Sequence, residues 1–224
     1  MTFECSHCHR TFARDKTLDT HRCEPRRRWE IQNQRGVQIG FQGYLQFRNA
    51  HLRSSDKHTY QDFCRSSYYR AFVKWGDYCV AVQVIDPAQY LTWLLNNQHR
   101  IDHWCRDTVY TEYLVWYLPQ EPIDQAVKRA LDLGLDWQQQ QGHPATHMLR
   151  YGNHNWLCHK IVTGQLSAWM IYLTDSGHEL LTGLHGSQLD MIWPYITPDQ
   201  WNSRLACDSD AVNQYRSKLR SQGW

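Results

Sequence analysis

The 224-residue chain lacks most of the features that settle a protein's class at once. No apolar run approaches the roughly 18–20 residues of a membrane-spanning helix, and no basic-then-apolar leader precedes a small-residue cleavage site. There is no low-complexity tract and no repeat of fixed period, which excludes solenoids and arrays. An excess of one charge is also missing. With 24 Lys and Arg against 22 Asp and Glu, the formal charge is +2, so no whole-molecule field drives the protein onto nucleic acid and any such contact needs a local patch. Five of the eight cysteines (Cys64, Cys79, Cys105, Cys158 and Cys207) are scattered singly, which is no disulfide framework. These absences predict a soluble, cytoplasmic protein in a reducing compartment, with no membrane partner.

Phenylalanine is scarce among the aromatics: 6 Phe stand beside 11 Trp and 13 Tyr, so most rings carry a polar tip that needs a partner. Such rings suit cores first, and interfaces or base stacking second. The remaining three cysteines sit together at the front. Cys5 and Cys8 are two residues apart, twelve residues precede His21, and Cys23 follows after one more. Apolar side chains in the first 24 residues amount essentially to Phe3, Phe12 and Leu18, too few to offset the backbone entropy of ordering the segment. A structural metal supplies what hydrophobic burial does not.

Closing the site with Cys23 requires a break in the chain's path. Residues at i and i+2 point some 200° apart on a helix, so His21 and Cys23 converge only if the helix breaks at His21. Pro25 supports a break nearby, because it restricts Glu24 to extended conformations. His7 and His9 are the fallback ligands.

The spacing Cys5-x2-Cys8, then Phe12, Leu18 and His21, resembles the classical zinc finger over about a tenth of the chain. The resemblance implies a small ββα module holding Zn2+ through Cys5, Cys8, His21 and Cys23, with Cys23 departing from the family's usual fourth-ligand position. It further implies groove-reading positions at Arg14, Thr17 and Thr20 of a helix starting near Asp15, while Lys16, Arg22, Arg26, Arg27 and Arg28 would hold phosphates. Residues 1–28 carry seven basic against four acidic side chains, a surplus of +3 before metal and thiolates are counted. A lone finger reads about 3 bp, so it is at most part of a reader. A metal-pinned knob that grips protein or braces the body is the competing reading.

The rest predicts a mainly α fold: a zinc finger over 1–25, a basic, glycine-containing and helical connection over 26–47, and a helical domain over 48–224. Asp86-Pro87 and Thr197-Pro198 read as helix starts, and Ser176 to Glu179 as a capping box. Gly134 reads as a helix stop after the apolar face Ile123, Val127, Ala130 and Leu131, and Val212, Tyr215 and Leu219 make another face. "YCVAVQVI", residues 78–85, is the strand candidate, with buried helix as its equal. Gly36, Gly40 and Gly43, at helical spacing, admit the close approach of a second helix or a phosphodiester strand, or else mark a loop.

Between 44 and 75, Arg48, Arg53, Lys57, Arg65, Arg70 and Lys74 alternate with Tyr60, Phe63, Tyr68, Tyr69, Phe72 and Trp75, against Asp56 and Asp62. Cations and rings together suit a single strand, and the same pattern suits an amphipathic helix with its rings inward. His143 and His147, and the group His154, Cys158 and His159 with Asp175 further on, raise an enzyme reading through a second metal or a base and nucleophile. No motif of known catalytic mechanics is complete.

The finger's ending "HRCEP", the segment "RRRWEIQNQRGVQIG" and the stretches "AFVKWGDYCV" and "MLRYGNHN" resemble uncharacterised zinc-finger proteins of large tailed bacteriophages. That resemblance implies a phage accessory protein of the host cytoplasm. The expected function is a zinc-dependent, DNA- or RNA-binding accessory protein. The alternative is a module whose finger docks on a polymerase or other protein, and an enzyme is the third.

Overall fold

A computed structural model describes residues 2–51, 58–207 and 209–224. Arg53, Asp56 and Lys57 lie outside the described residues. The architecture is mainly α, with a single two-stranded sheet among the described residues. The chain divides into two compact units, Met1–Arg106 and Asp107–Trp224. That boundary falls inside 48–224, the stretch that the sequence presents as one helical domain.

In the first unit, β1 (Phe3–Glu4) pairs antiparallel with β2 (Thr11–Phe12), placing Phe3 opposite Phe12. Two short helices follow, α1 (Asp15–Asp19) and α2 (Glu24–Glu30). Pro25 acts differently from expectation. It sits in the first turn of α2, where its missing N–H is harmless, and Glu24 is helical. The extended residue is Cys23, at φ −91° and ψ 160°.

Next come α3 (Arg35–His51), α4 (Tyr60–Arg65), α5 (Tyr69–Ala81) and α6 (Pro87–Asn96). Of the two readings of 78–85, strand is not found and buried helix holds as far as Ala81, because Phe72, Trp75, Gly76 and Cys79 keep one face of α5 buried to its end. Thr59 and Asp62 form a reciprocal capping box on α4, and Asp86 caps α6 by accepting the Gln89 N–H at 3.0 Å.

The glycines of α3 face a second helix, α5. A methyl at Gly40 would stand 2.5 Å from the Phe72 carbonyl oxygen, and one at Gly43 would stand 2.5 Å from the Trp75 ring. A methyl at Gly76 would strike the Gly36 carbonyl. Helix backbones thus touch without intervening side chains, as Gly alone permits. The basic and aromatic stretch resolves the same way. Phe63, Tyr69, Phe72 and Trp75 are buried, while Arg70 and Lys74 are exposed.

The second unit contains α7 (Asp107–Tyr117), α8 (Ile123–Gln141), α9 (Met148–Tyr151), α10 (His154–Val162), α11 (Ala168–Leu173), α12 (Asp175–Gly183), α13 (Gly186–Ile196), α14 (Pro198–Cys207) and α15 (Ser209–Ser221). α11 is its centre. Its Ala168, Trp169, Met170, Ile171 and Leu173 are all buried, and it packs on α8, α12 and α15. The buried Glu121 carboxylate pairs with both Arg129 guanidinium nitrogens, one at 2.7 Å, and Arg129 Nε donates to the Gly164 carbonyl at 2.9 Å.

Two helix signals move. Gly134 does not stop α8, which runs to Gln141 and ends at left-handed Gly142, φ 73°. Gly134 instead makes room for the Trp224 ring, whose nearest atom would lie 2.6 Å from an added methyl. The α12 cap is Thr174 rather than Ser176: its hydroxyl oxygen accepts the Gly177 N–H at 3.0 Å, Ser176 is buried inside the helix, and Glu179 pairs with Arg150.

Gly76→Ala is expected to lower stability by about 3 kcal/mol, since backbone rather than a yielding side chain blocks the methyl. Gly186→Ala, at a helix position with nothing within 4 Å, is expected to raise it by about 0.5 kcal/mol. Urea titrations of both variants check the opposite signs.

Candidate metal centre

The hairpin and the break after α1 bring four donors together. Cys5 N–H donates to the Arg10 carbonyl at 2.9 Å and His9 N–H to the Cys5 carbonyl at 2.8 Å, closing the turn that carries Cys5 and Cys8. Left-handed His9, φ 59°, completes that turn. α1 ends at Asp19 and is capped by Thr20, so His21 lies beyond the helix, as the i,i+2 geometry requires. Cys23 then enters from extended backbone at the start of α2.

The ligand atoms of Cys5, Cys8, His21 and Cys23 all lie within 4.8 Å of one another. Cys8 Sγ is 3.2 Å from His21 Nε2, and the Cys5 and Cys23 sulfurs are 3.9 Å apart. A tetrahedral ion with sulfur bonds near 2.3 Å and a nitrogen bond near 2.0 Å sets edges of roughly 3.5–3.8 Å. The donor set can therefore hold a metal ion. The fallback ligands face elsewhere: His9 Nδ1 is 2.6 Å from Glu4 Oε1, and the His7 ring lies against Trp29, centroids 5.8 Å apart.

Little apolar burial holds this module. Phe3, Phe12 and Leu18 are only half-buried, no residue of α1 is buried, and Phe12 rests on the His21 ring at 4.7 Å. Burial opposes the Cys5 thiolate, but the backbone N–H groups of Cys8 and His7 outweigh it and hold this thiol below the ordinary range. Burial and the neighbouring sulfurs push Cys23 up. The thiols at Cys64, Cys79, Cys105 and Cys158 are all raised by burial, which keeps them protonated at neutral pH.

Side chains from α2 and α4 brace the module. Gln61 donates to the Ser6 carbonyl at 2.8 Å, and Arg65 to the carbonyls of His7 at 3.0 Å and Ser6 at 3.1 Å. Arg26 donates to the His21 carbonyl at 2.9 Å. Arg28 donates to the Cys64 carbonyl at 2.8 Å, with its guanidinium 4.4 Å above the Tyr69 ring. Sequence reasoning missed Gln61 and Arg65 as braces. The helix start at Thr59 and Asp62 marks α4, but nothing local marks its target.

The positions expected to meet nucleic acid divide accordingly. Arg14, Lys16, Thr17 and Thr20 are exposed, with Thr20 Oγ1 donating back to the Lys16 carbonyl at 3.1 Å. Arg22 is exposed and paired with Glu30 at 2.8 Å. Arg27 is exposed, whereas Arg26 and Arg28 are committed within the unit.

The residues of the enzyme reading differ in their surroundings. Cys158 is buried, His159 is exposed and His154 is half-buried. Among the described residues they join no group of donors at metal distance. His143 lies by Trp137, His147 by Tyr151, and Asp175 faces Arg220 at 3.7 Å. No helix among the described residues is long and apolar enough to cross a membrane. Comparison with protein-family models, curated proteins and solved structures finds no match.

One divalent ion per chain is expected by elemental analysis, and none after Cys23→Ser with chelation. Stripping the ion is expected to speed hydrogen exchange at the turn between Cys5 and His9 while α3 and α5 keep their protection. Unchanged exchange at that turn contradicts a metal-held module.

Proposed function

We propose that the protein is a zinc-stabilised nucleic-acid-binding accessory protein, with residues 1–25 as its finger and 26–47 as the connection to a helical body. Three thiolates and one imidazole within 4.8 Å of one another suit zinc, and four protein ligands leave no open position for a reacting water. The site then has a structural role. Free thiolates fit a reducing compartment, and the resemblance to phage finger proteins supports the cytoplasm of an infected host.

One observation carries the nucleic-acid reading. Arg22, Arg26 and Arg28 are held within the unit, yet Arg10, Arg14, Lys16 and Arg27 are exposed and make no ion pair among the described residues. Cations left unneutralised by their own fold are what phosphate contact uses. In this reading Arg14, just before α1, forks onto a guanine edge, with Lys16 and Arg27 on phosphates. A helix of five residues is about 7.5 Å long, so it touches few bases and positions more than it specifies.

A second reading, docking on a polymerase or other protein, draws on the braced turn: Gln61 and Arg65 already show the module's knuckle gripped by protein side chains. Fluorescence anisotropy with a short DNA duplex and a matched RNA separates the two. Raising salt from about 50 to about 200 mM is expected to weaken binding roughly 100-fold if about four phosphates are neutralised. Lys16→Ala and Arg27→Ala should each reduce the salt slope by about one, whereas Arg14→Ala should cost about 1–3 kcal/mol and relax the base preference. Undetectable binding at the lower salt removes the nucleic-acid reading and leaves protein docking.

A further inference from the structure

The segments "GHPATHML" and "GNHNWLCHK" find no role in the amino-terminal module, and the second unit gives them a different one. A cleft of about 540 Å³ opens where the end of α8 meets the start of α10, within the range of small-molecule sites. Three rings line it: Trp137, largely buried, Trp156, half-buried, and Tyr151, which is 69% exposed. Between them stand four hydrogen-bonding side chains, Gln140, Gln141, His143 and Asn153.

The walls are preformed. Gly142, at φ 73°, turns the chain out of α8, and Gln138 Oε1 accepts the Ala145 N–H at 3.0 Å, fixing the loop that carries His143. His143 lies nearly parallel to Trp137, centroids 6.2 Å apart at 28°. Asn153 caps α10, its Oδ1 accepting the Trp156 N–H at 3.1 Å, which leaves its amide N–H groups as donors. Among the described residues, the Gln140 and Gln141 side chains make no hydrogen bond within the chain.

No Lys, Arg, Asp or Glu lines the cleft. The ammonium of Lys160 lies 5.6 Å from the Trp156 ring centroid but outside the lining, and the Arg150 guanidinium is held by Glu179 at 2.6 and 3.0 Å. A charged ligand would find no countercharge in the lining itself and only Lys160 nearby, and a single nucleic-acid strand would lack the row of cations that tracks its backbone. A purely apolar ligand would strand four polar side chains. A neutral, polyhydroxylated ring with apolar faces satisfies both halves of the wall.

We propose that this cleft binds a neutral saccharide, with sugar-ring faces against Tyr151 and Trp156 and hydroxyls on Gln140, Gln141, His143 and Asn153. The test uses the full chain and neutral hexasaccharides of glucose (α- and β-linked) and of N-acetylglucosamine, followed by tryptophan fluorescence and titration calorimetry. Saturable binding of at least one probe is expected, insensitive to salt. Tyr151→Ala and Trp156→Ala should each weaken it roughly tenfold or more. Tyr151→Ala removes an exposed ring, so its melting curve should match the parent and separate lost binding from lost fold. No heat and no fluorescence change with any probe up to about 10 mM overturns the proposal. So does binding that survives both substitutions, or salt-sensitive binding of oligothymidylate at these same rings.

Discussion

Three thiolates and an imidazole within 4.8 Å of one another repel as soon as the thiols ionise, and a cation among them reverses the sign of that interaction. A cation bound there would hold the first 24 residues through this reversal. Their apolar side chains are half-buried at best, their hairpin has two residues per strand, and α1 is little more than one turn. None of these elements is long enough to stand alone. The four donors arrive from three different pieces of chain: the hairpin turn, the residue beyond α1, and the N-terminus of α2. Fixing them together fixes the path of everything between.

The helical remainder of that unit holds by other means, yet it bears on the metal-binding module. Glycines on α3 and α5 let two backbones meet, Phe63, Phe72 and Trp75 fill the space beside them, and α4 is carried at the edge of that core. From α4, Gln61 and Arg65 reach the carbonyls of the turn between the first two cysteines. Those carbonyls flank the candidate ligands, so the braces act on the same few backbone atoms that a bound metal would restrain. Cations that would otherwise face solvent are used internally, which narrows the module's free basic face to Arg10, Arg14, Lys16 and Arg27.

Much of this was legible because the signals are local. Ligand spacing located the four donors, and the impossibility of an i,i+2 pair on one helix required the break after α1. Proline and capping residues marked the starts of α6 and α14. The α3 glycines announced a close neighbour without naming α5. What failed was decided at longer range. "YCVAVQVI" has strand composition, but its Cys79 belongs to a face begun at Phe72, so helix continues. Gly134 looked like a terminator because its partner, Trp224, lies ninety residues away in sequence. Arg28, read as a phosphate ligand, makes its contacts inside the unit with Tyr69 and the Cys64 carbonyl, about forty residues on, which nothing local announces. The aromatic cleft beside α10 was hidden for the same reason, its three rings being split among α8, α9 and α10.

X-ray absorption at the edge of the bound metal tests the central claim most directly. A shell of three sulfurs at about 2.3 Å and one nitrogen at about 2.0 Å, lost as a unit when Cys23 is replaced, is the expected result. A shell of oxygen and nitrogen alone, or one that keeps three sulfurs after Cys23→Ser, contradicts the account.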